Sequence, residues 1–337
     1  MNRAAFVRST LVAPLAAACA AAPAWAAENT TVTTQLLWIK DVEYGGFWIA
    51  DAKGYFRDEG IAPVFLGGGP NLSSVEAVVA SGRADVGVDE FEKVVDAVAH
   101  GADFVVLGAV FQRGIAGFLS LPKNPIRTAK DLIGKRLGLP QGARQFVDAV
   151  FRVNGLTPNY TEVPVGFDPQ PLVEGACDGY LCYVTNQPLI LAKRKIPYVV
   201  TPLAQLGYAV YAGAIFAQRD YVAKNRATLV RYVRAVARGW EANRRDPQLA
   251  AQLAVDHYGA GLGLDLDQQI AQSEAQVPLT ESDETRRKHG LLWVSREHVE
   301  KRVYPTLRAA GRTKLPEFDR LFDLSILRDA TAREKHG

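Results

Sequence analysis

Apolar residues recur along most of the chain in two alternating patterns, one typical of strands and one typical of helices. Short apolar runs rich in β-branched residues predict strands at 33–39, 62–66, 85–88, 104–111, 136–139, 162–165 and 180–185. Helical spacing predicts helices between these runs, at 48–56, 73–82, 91–100, 144–153 and 168–174. Strands that alternate with helices in this way predict an α/β fold with largely parallel sheets.

The order of elements runs twice along the chain, which indicates two similar lobes. The second run begins near Thr128, which forms a capping-box pattern with Asp131, as Ser73 does with Glu76 in the first run. After these runs the pattern becomes helical, and the predicted helices lie at 222–257, 264–275, 296–310 and 316–327. We expect this helical tail to pack onto the first lobe.

Length and charge limit the function classes. The chain has 337 residues, of which 48% are hydrophobic and 22% are charged, so about two globular domains are expected. Lys and Arg number 39 against 36 acids, and a net charge of +3 gives no reason to expect a nucleic-acid partner.

The first residues have the order of a secretory signal peptide. Arg3 and Arg8 precede an uncharged apolar run over 11–24, which ends in the small-residue cleavage pattern of 24–26. The sequence therefore predicts a signal peptide over residues 1–26 and an exported, periplasmic protein.

A lipidated N-terminus at Cys19 is the alternative. We do not favour it because Ala16, three places before, is not the large aliphatic residue usual there.

Familiar catalytic and cofactor motifs are missing from the sequence. There is no phosphate loop, no dinucleotide-binding glycine motif and no nucleophile elbow, and the five histidines show no metal-binding i, i+4 pair. We therefore predict no metal, no cofactor and no enzymatic activity. Cys177 and Cys182 are compatible with a disulfide in an oxidising compartment, but the strand expected between them would separate them too far, so their pairing stays open.

Polar and aromatic side chains follow several predicted strands, where ligands of open α/β sheets bind. The candidate ligand-binding residues are Trp38, Asp41, Glu43, Tyr44, Pro70, Asn71, Glu90, Phe91, Gln112, Tyr183 and Asn186. Three aromatic side chains are candidates for stacking on a flat ligand: Trp38, Tyr44 and Phe91. Three carboxylates would accept hydrogen bonds from the ligand: Asp41, Glu43 and Glu90. Three amides would contact its remaining edge: Asn71, Gln112 and Asn186.

Several motifs resemble the NMT1/THI5-like periplasmic solute-binding proteins. They are Tyr44-Gly45-Gly46-Phe47 with the Gly54-Tyr55-Phe56 that follows, Gly68-Gly69-Pro70, Gly82-x-x-Asp85, Asp131-Leu132-x-Gly134-Lys135, and Tyr183-Val184-Thr185-Asn186-Gln187-Pro188. The resemblance covers residues 32–220, and the helical tail fits only in outline.

The resemblance implies a type II periplasmic-binding-protein fold, with two α/β lobes of mainly parallel sheets joined by a two-segment hinge. Lobe I would comprise 27–120 and 210–330 and lobe II 121–209, with the chain crossing between them near 117–124 and 205–213. The protein would be a monomer that captures a small molecule by closure of the lobes and delivers it to the permease of an ABC importer.

Relatives in this family bind the aminopyrimidine precursor of thiamine, riboflavin, sulfonates or nitrate. Acids at Asp41, Glu43 and Glu90 disfavour an anion, so the sequence predicts an aromatic heterocycle with N–H or amino donors. The stretch 40–44 departs from the Asn/His-containing pattern of pyrimidine-binding members, which keeps a flavin open. An anion-binding protein, a sensory module and an enzyme of the same fold are the alternatives.

Overall fold

The computed structural model describes residues 29–69 and 72–332. The predicted signal peptide and two candidate site residues, Pro70 and Asn71, lie outside them. The strands of the described residues, in chain order, are β1 (Thr30–Leu36), β2 (Ile61–Leu66), β3 (Val86–Asp89), β4 (Phe104–Phe111), β5 (Ala116–Ser120), β6 (Arg136–Leu139), β7 (Thr161–Pro164), β8 (Gly179–Tyr183), β9 (Val199–Pro202) and β10 (Ala212–Gln218).

These strands form two five-stranded sheets, one in each lobe. The first has the order β2-β1-β3-β10-β4 and the second the order β7-β6-β8-β5-β9. In each sheet four strands run in one direction, and one strand, β10 or β5, is antiparallel to both of its neighbours. The predicted α/β fold of two lobes with mainly parallel sheets is therefore confirmed.

Two connections join the sheets. The chain leaves β4 and enters β5 through residues 112–115, and it returns from β9 to β10 through residues 203–211. Because β5 belongs to the second sheet, the first crossing lies before the expected 117–124, and the expected lobe boundary at 120 is wrong. The short run Ala116–Ser120 contains a glycine and an alanine, so its composition did not mark it as a strand.

Helices cover both sheets. They are α1 (Gly45–Ala52), α2 (Tyr55–Asp58), α3 (Val75–Ala80), α4 (Phe91–Ala99), α5 (Arg144–Val153), α6 (Gln170–Val173), α7 (Gln187–Lys193), α8 (Arg219–Arg245), α9 (Pro247–Leu253), α10 (Leu266–Gln276), α11 (Arg296–His298), α12 (Tyr304–Ala309), α13 (Phe318–Leu321) and α14 (Leu324–Thr331). The expected helix over 222–257 is divided, because Asp246 ends α8 and caps a new helix that begins with Pro247.

The structure contains one of the two predicted capping boxes. The box of Thr128 and Asp131 is present, and the Thr128 backbone N–H donates to the Asp131 carboxylate at 2.8 Å. The cap of α3 is Ser74 rather than Ser73, and its hydroxyl accepts from the Ala77 N–H at 3.1 Å. The second prediction was therefore wrong by one residue.

The C-terminal helices pack more widely than expected. Helices α8 and α14 cover the first lobe as predicted, but α10 also contacts α7 and α12 also contacts α5, which both belong to the second lobe. A hydrophobic cluster that includes Phe91, Tyr211, Phe151 and Leu307 is continuous between the lobes. The helical tail thus covers the first lobe and also connects it to the second.

Candidate functional site

Six carboxylates of the first lobe lie close together where β1 and β3 end and α3 and α4 begin. Interactions between their charges connect them: Asp41, Glu43, Glu76, Asp89, Glu90 and Glu92. The carboxyl ends of parallel strands meet at one edge of a sheet, which is where such folds bind ligands. Three of the six, Asp41, Glu43 and Glu90, are carboxylates that the sequence analysis named as candidates.

Asp41 begins a tight turn that carries Glu43. One Asp41 carboxylate oxygen accepts from the Glu43 N–H at 2.9 Å, and this bond fixes the 3₁₀ turn Val42–Tyr44. Asp41 is only 3% exposed, and burial raises the pKa of its carboxyl to about 6. The turn therefore holds a carboxyl group whose charge is costly to bury.

Glu43 projects from the same turn and is half-buried. Its side chain makes no hydrogen bond to another described residue. Burial, followed by the charges of Asp41 and Glu90, raises the pKa of the Glu43 carboxyl well above its ordinary value. A hydrogen-bond donor next to this carboxyl would stabilise its charged form, and the described residues do not supply one.

Asp89 and Glu90 add two further carboxylates at the end of β3. Asp89 is 2% exposed, and burial together with the charge of Glu76 raises the pKa of its carboxyl well above the ordinary value. Lys93 is the neighbouring cation, with its Nζ 3.2 Å from Glu90 and 3.6 Å from Asp89. Arg312 also acts on Glu92 but is paired with Asp96. These two cations do not balance the six acids, so the edge is negatively charged when they are ionised.

Tyr183, at the end of β8, brings the second lobe to this edge. Burial, followed by the charges of Glu90 and Glu43, raises the pKa of the Tyr183 hydroxyl well above its ordinary value. The half-buried tyrosine therefore keeps its proton, and its hydroxyl remains a hydrogen-bond donor near the carboxylates. The structure thus brings together Asp41, Glu43, Glu90 and Tyr183 of the predicted site.

Two of the predicted stacking rings belong to the core instead. Tyr44 is 3% exposed, and its hydroxyl accepts from the Trp38 N–H at 2.9 Å. Phe91 has no exposed surface and is stacked on Phe322, with ring centroids 5.9 Å apart. Neither ring offers a free face, so their predicted role was wrong. Trp38 is half-buried and remains available.

Two predicted amide contacts are occupied by the protein itself. The Gln112 amide nitrogen donates to the Trp293 carbonyl at 3.0 Å, which ties the first crossing to the C-terminal segment. The Asn186 side-chain oxygen accepts from Gln268 at 3.0 Å. Both amides therefore hold protein elements together, and their predicted role of contacting a ligand is not supported.

Sequence reasoning left Glu76, Asp89, Glu92 and Lys93 out of the candidate site. Asp89 had a usable signal, because it ends a buried strand run immediately before Glu90. Glu92 had none, since an acid in the first turn of a helix is ordinarily solvated. It is 5% exposed here, and it accepts from the Tyr208 hydroxyl at 3.0 Å.

The described residues show no group of His, Cys, Asp and Glu side chains that could hold a metal ion. Cys177 and Cys182 are unpaired and buried, and burial raises the pKa of both thiols. Neither is therefore an activated nucleophile. Within 29–69 and 72–332 no helix is both long and apolar enough to cross a membrane.

Two surface cavities lie where the C-terminal segments meet the second lobe. One of about 540 Å³ lies between α7 and α10, and one of about 820 Å³ lies between α4, α5 and residues 310–314. Neither is lined by a residue of the predicted site. We place the candidate site at the acidic edge because buried and half-buried acids of the described residues gather there without enough cations to balance them.

Glu92→Gln is expected to stabilise the protein in alkaline solution. Burial raises the pKa of the Glu92 carboxyl to about 7, so the folded state binds a proton more tightly than the unfolded state, and stability falls as pH rises from about 4.5 through 7. The amide carries no charge and should remove this loss, which we estimate at about 1–3 kcal/mol. Urea unfolding at pH 5 and pH 8 measures it.

The exposed acid Glu297 is the control. Glu297→Gln should change the free energy of unfolding little, and by the same amount at pH 5 and at pH 8. A Glu92→Gln protein that loses as much stability as the wild type between pH 5 and pH 8 would contradict the assignment.

Comparison with known proteins gives relatives of two kinds. The chain is 26% identical over 317 residues to the riboflavin-binding protein RibY of Chloroflexus aurantiacus, covering 89% of this chain and 87% of that protein. It is 25% identical over 203 residues to the 4-amino-5-hydroxymethyl-2-methylpyrimidine phosphate synthase of Schizosaccharomyces pombe. That match covers 56% of this chain and 58% of the synthase, so the chain aligns with little more than half of the latter's length.

Solved structures share the fold. The periplasmic aliphatic sulphonate binding protein SsuA of Escherichia coli superimposes with a TM-score of 0.64 at 17% identity, over 88% of this chain and 92% of that one. The model of the family described as NMT1/THI5 like matches residues 41–250. The two-lobe fold and this match, which spans more than half of the sequence, show that the chain belongs to the NMT1/THI5-like family.

Proposed function

We propose that the protein is a solute-binding protein whose ligand lies between the lobes, against the carboxylates Asp41, Glu43 and Glu90 and the ring of Tyr183. The ligand is a small aromatic heterocycle with N–H or amino donors, of the aminopyrimidine or flavin type. The observation that carries this proposal is the unbalanced group of buried and half-buried acids at the carboxyl ends of β1 and β3, close to Tyr183 of the second lobe.

The charge of the acidic edge distinguishes between the classes of ligand that similar proteins bind. A sulfonate or nitrate needs donors or cations around it, whereas Lys93, the cation beside these carboxylates, is already paired with Glu90 and Asp89. Amino and ring N–H groups instead donate to carboxylates, and such charge-assisted bonds are stronger than neutral ones. Trp38 and Tyr183 supply aromatic surface for a flat ring. The similarity to a riboflavin-binding protein and to aminopyrimidine phosphate synthases supports the same choice.

Calorimetry tests the ligand class directly. We expect either riboflavin or 4-amino-5-hydroxymethyl-2-methylpyrimidine to bind at least 100-fold more tightly than taurine or nitrate. Mass spectrometry of small molecules that co-purify with the protein gives an independent answer. Tighter binding of taurine or nitrate than of either heterocycle would overturn the proposal.

Delivery to an ABC importer from the periplasm completes the proposed role. The secretory pattern of residues 1–26 and the likeness to the fold of a periplasmic binding protein support it. The mature protein would begin at Ala27, which N-terminal sequencing of protein from the periplasmic fraction would establish. Retention of residues 1–26 in the cell interior would contradict export.

An enzyme is the second candidate, because the family contains synthases. The buried cysteines, with the pKa of both thiols raised, oppose a mechanism that begins with a thiolate. Incubation of the purified protein with each heterocycle, followed by mass spectrometry, separates the two candidates. An unchanged ligand is expected, whereas a converted one would establish catalysis.

A further inference from the structure

Helix α10 buries a polar face. Gln269, Gln272, Ser273 and Gln276 follow one another at helical spacing, and each is less than 5% exposed. Buried amides cost free energy unless they are hydrogen-bonded, so such a face is normally directed to solvent. Its partners therefore indicate what the helix does.

The buried face holds the turn that carries the candidate carboxylates. The Val42 N–H donates to the Gln269 side-chain oxygen at 2.8 Å, and the Gln276 amide donates to the Val42 carbonyl at 2.7 Å. Val42 lies between Asp41 and Glu43. Since α10 binds both backbone groups of this residue, it fixes the position from which the two carboxylates project.

The N-terminal end of α10 reaches the second lobe. Gln268 donates through its amide nitrogen to the Asn186 side-chain oxygen at 3.0 Å, next to the start of α7. Lys193 is the last residue of α7, and its Nζ lies 2.8 Å from the carboxylate of Asp265, the N-cap residue of α10. The ion pair is exposed and contributes little, whereas Asn186 is only 6% exposed and its bond to the half-buried Gln268 is partly buried.

The C-terminal end of α10 reaches the first crossing between the lobes. The Gln112 N–H donates to the Leu279 carbonyl at 2.7 Å, and the Arg113 guanidinium donates to the Pro278 carbonyl at 3.1 Å. One helix with its following turn thus contacts the site turn, the opposite lobe and the hinge.

We propose that α10 couples closure of the lobes to assembly of the binding site, with Gln268, Gln269 and Gln276 as positioning residues. Closure brings Asn186 to Gln268, and the helix held there fixes Asp41 and Glu43 for the ligand. Opening breaks the Gln268 contact and frees α10, which loosens the turn and releases the ligand. The coupling rests on the proposed function, since it assumes a ligand between the lobes.

Gln268→Met tests the closing contact, because methionine has a similar length and cannot donate. Glu274→Met, on the exposed side of α10, is the matched control. With the heterocycle that binds, we expect the dissociation rate to rise about tenfold in Gln268→Met and the association rate to stay within twofold. The unfolding midpoints of the two variants should agree. An unchanged dissociation rate would overturn the proposal.

A rescue variant and a double variant distinguish a positioning role of Gln268 from a general loosening of the fold. Gln268→Glu can accept from the Asn186 amide once that amide rotates, so it should recover most of the slow dissociation. The combined variant of Gln268→Met and Gln276→Met should lose less affinity than the product of the single losses, because both act through one helix. Fully multiplicative losses would show independent contacts and contradict the coupling.

A distance measurement keeps the test independent of the ligand. Spin labels at the exposed positions Lys130 and Lys224 report the separation of the lobes in the ligand-free protein. Gln268→Met should broaden the distance distribution relative to Glu274→Met, and identical distributions would overturn the proposal. If no heterocycle binds but the distribution broadens, the proposed function fails while the contact between the lobes is upheld.

Discussion

Gly239→Ala is expected to destabilise the protein by about 2 kcal/mol or more, although the same change in an exposed helix would stabilise it by about 1 kcal/mol. Gly239 lies within α8, where this helix crosses α1. A methyl group there would overlap the Gly46 carbonyl oxygen and lie 2.8 Å from the Ala50 Cβ. Both are parts of the opposing helix, so the two helices would have to separate. Urea unfolding measures the loss.

Gly166→Ala is the matched control, because a methyl group at Gly166 meets no other atom within 4 Å. It should leave the free energy of unfolding unchanged or raise it slightly, since alanine restricts the unfolded chain. A Gly239→Ala protein as stable as this control would show that α1 and α8 do not approach as closely as described.

The α1–α8 contact also affects the site. The turn of Asp41 and Glu43 leads directly into α1, and Trp48 of α1 donates through its indole nitrogen to the Asp41 carbonyl at 2.8 Å. A shift of α1 would therefore move the candidate carboxylates. We expect Gly239→Ala to weaken ligand binding as well as folding, while Gly166→Ala weakens neither.

The elements that the sequence predicted best are those with an uninterrupted local pattern. Strand β4 and helix α5 have the predicted bounds, because the first is a continuous apolar run and the second has clear helical spacing. Strands β5 and β10 were not predicted, since their alanines and glycines have weak strand propensity. Their conformation comes from pairing with distant strands, which a local pattern does not contain.

The candidate site could be predicted only in part, for a related reason. The sheet-edge rule located Asp41, Glu43 and Glu90, because it depends only on where strands end. The rule does not say which way a side chain points, so it could not separate the core ring of Phe91 from a ring with a free face. The buried glutamines of α10 were beyond prediction, because a polar helix face is ordinarily exposed.

Glu43→Gln is expected to weaken binding of the heterocycle by roughly 10-fold, and Glu43→Lys by more than about 100-fold. The amide keeps the shape of the carboxylate but loses the charge, and hydrogen bonds to charged groups contribute about 1.5–3 kcal/mol. The lysine adds a repulsive cation where the ligand donates. Calorimetry measures both changes, and Glu297→Gln on the surface should bind as the wild type does.

The pH dependence of the same variants shows whether ionised Glu43 is the group that binds. Burial and the neighbouring acids raise the pKa of the Glu43 carboxyl, so the empty site holds a proton there well above the pH at which a free glutamate ionises. A ligand that donates to Glu43 must displace this proton, and its affinity should therefore increase as pH rises. Glu43→Gln cannot titrate and should flatten the profile. Equal affinity and an equal profile in wild type and Glu43→Gln would place the ligand away from Glu43.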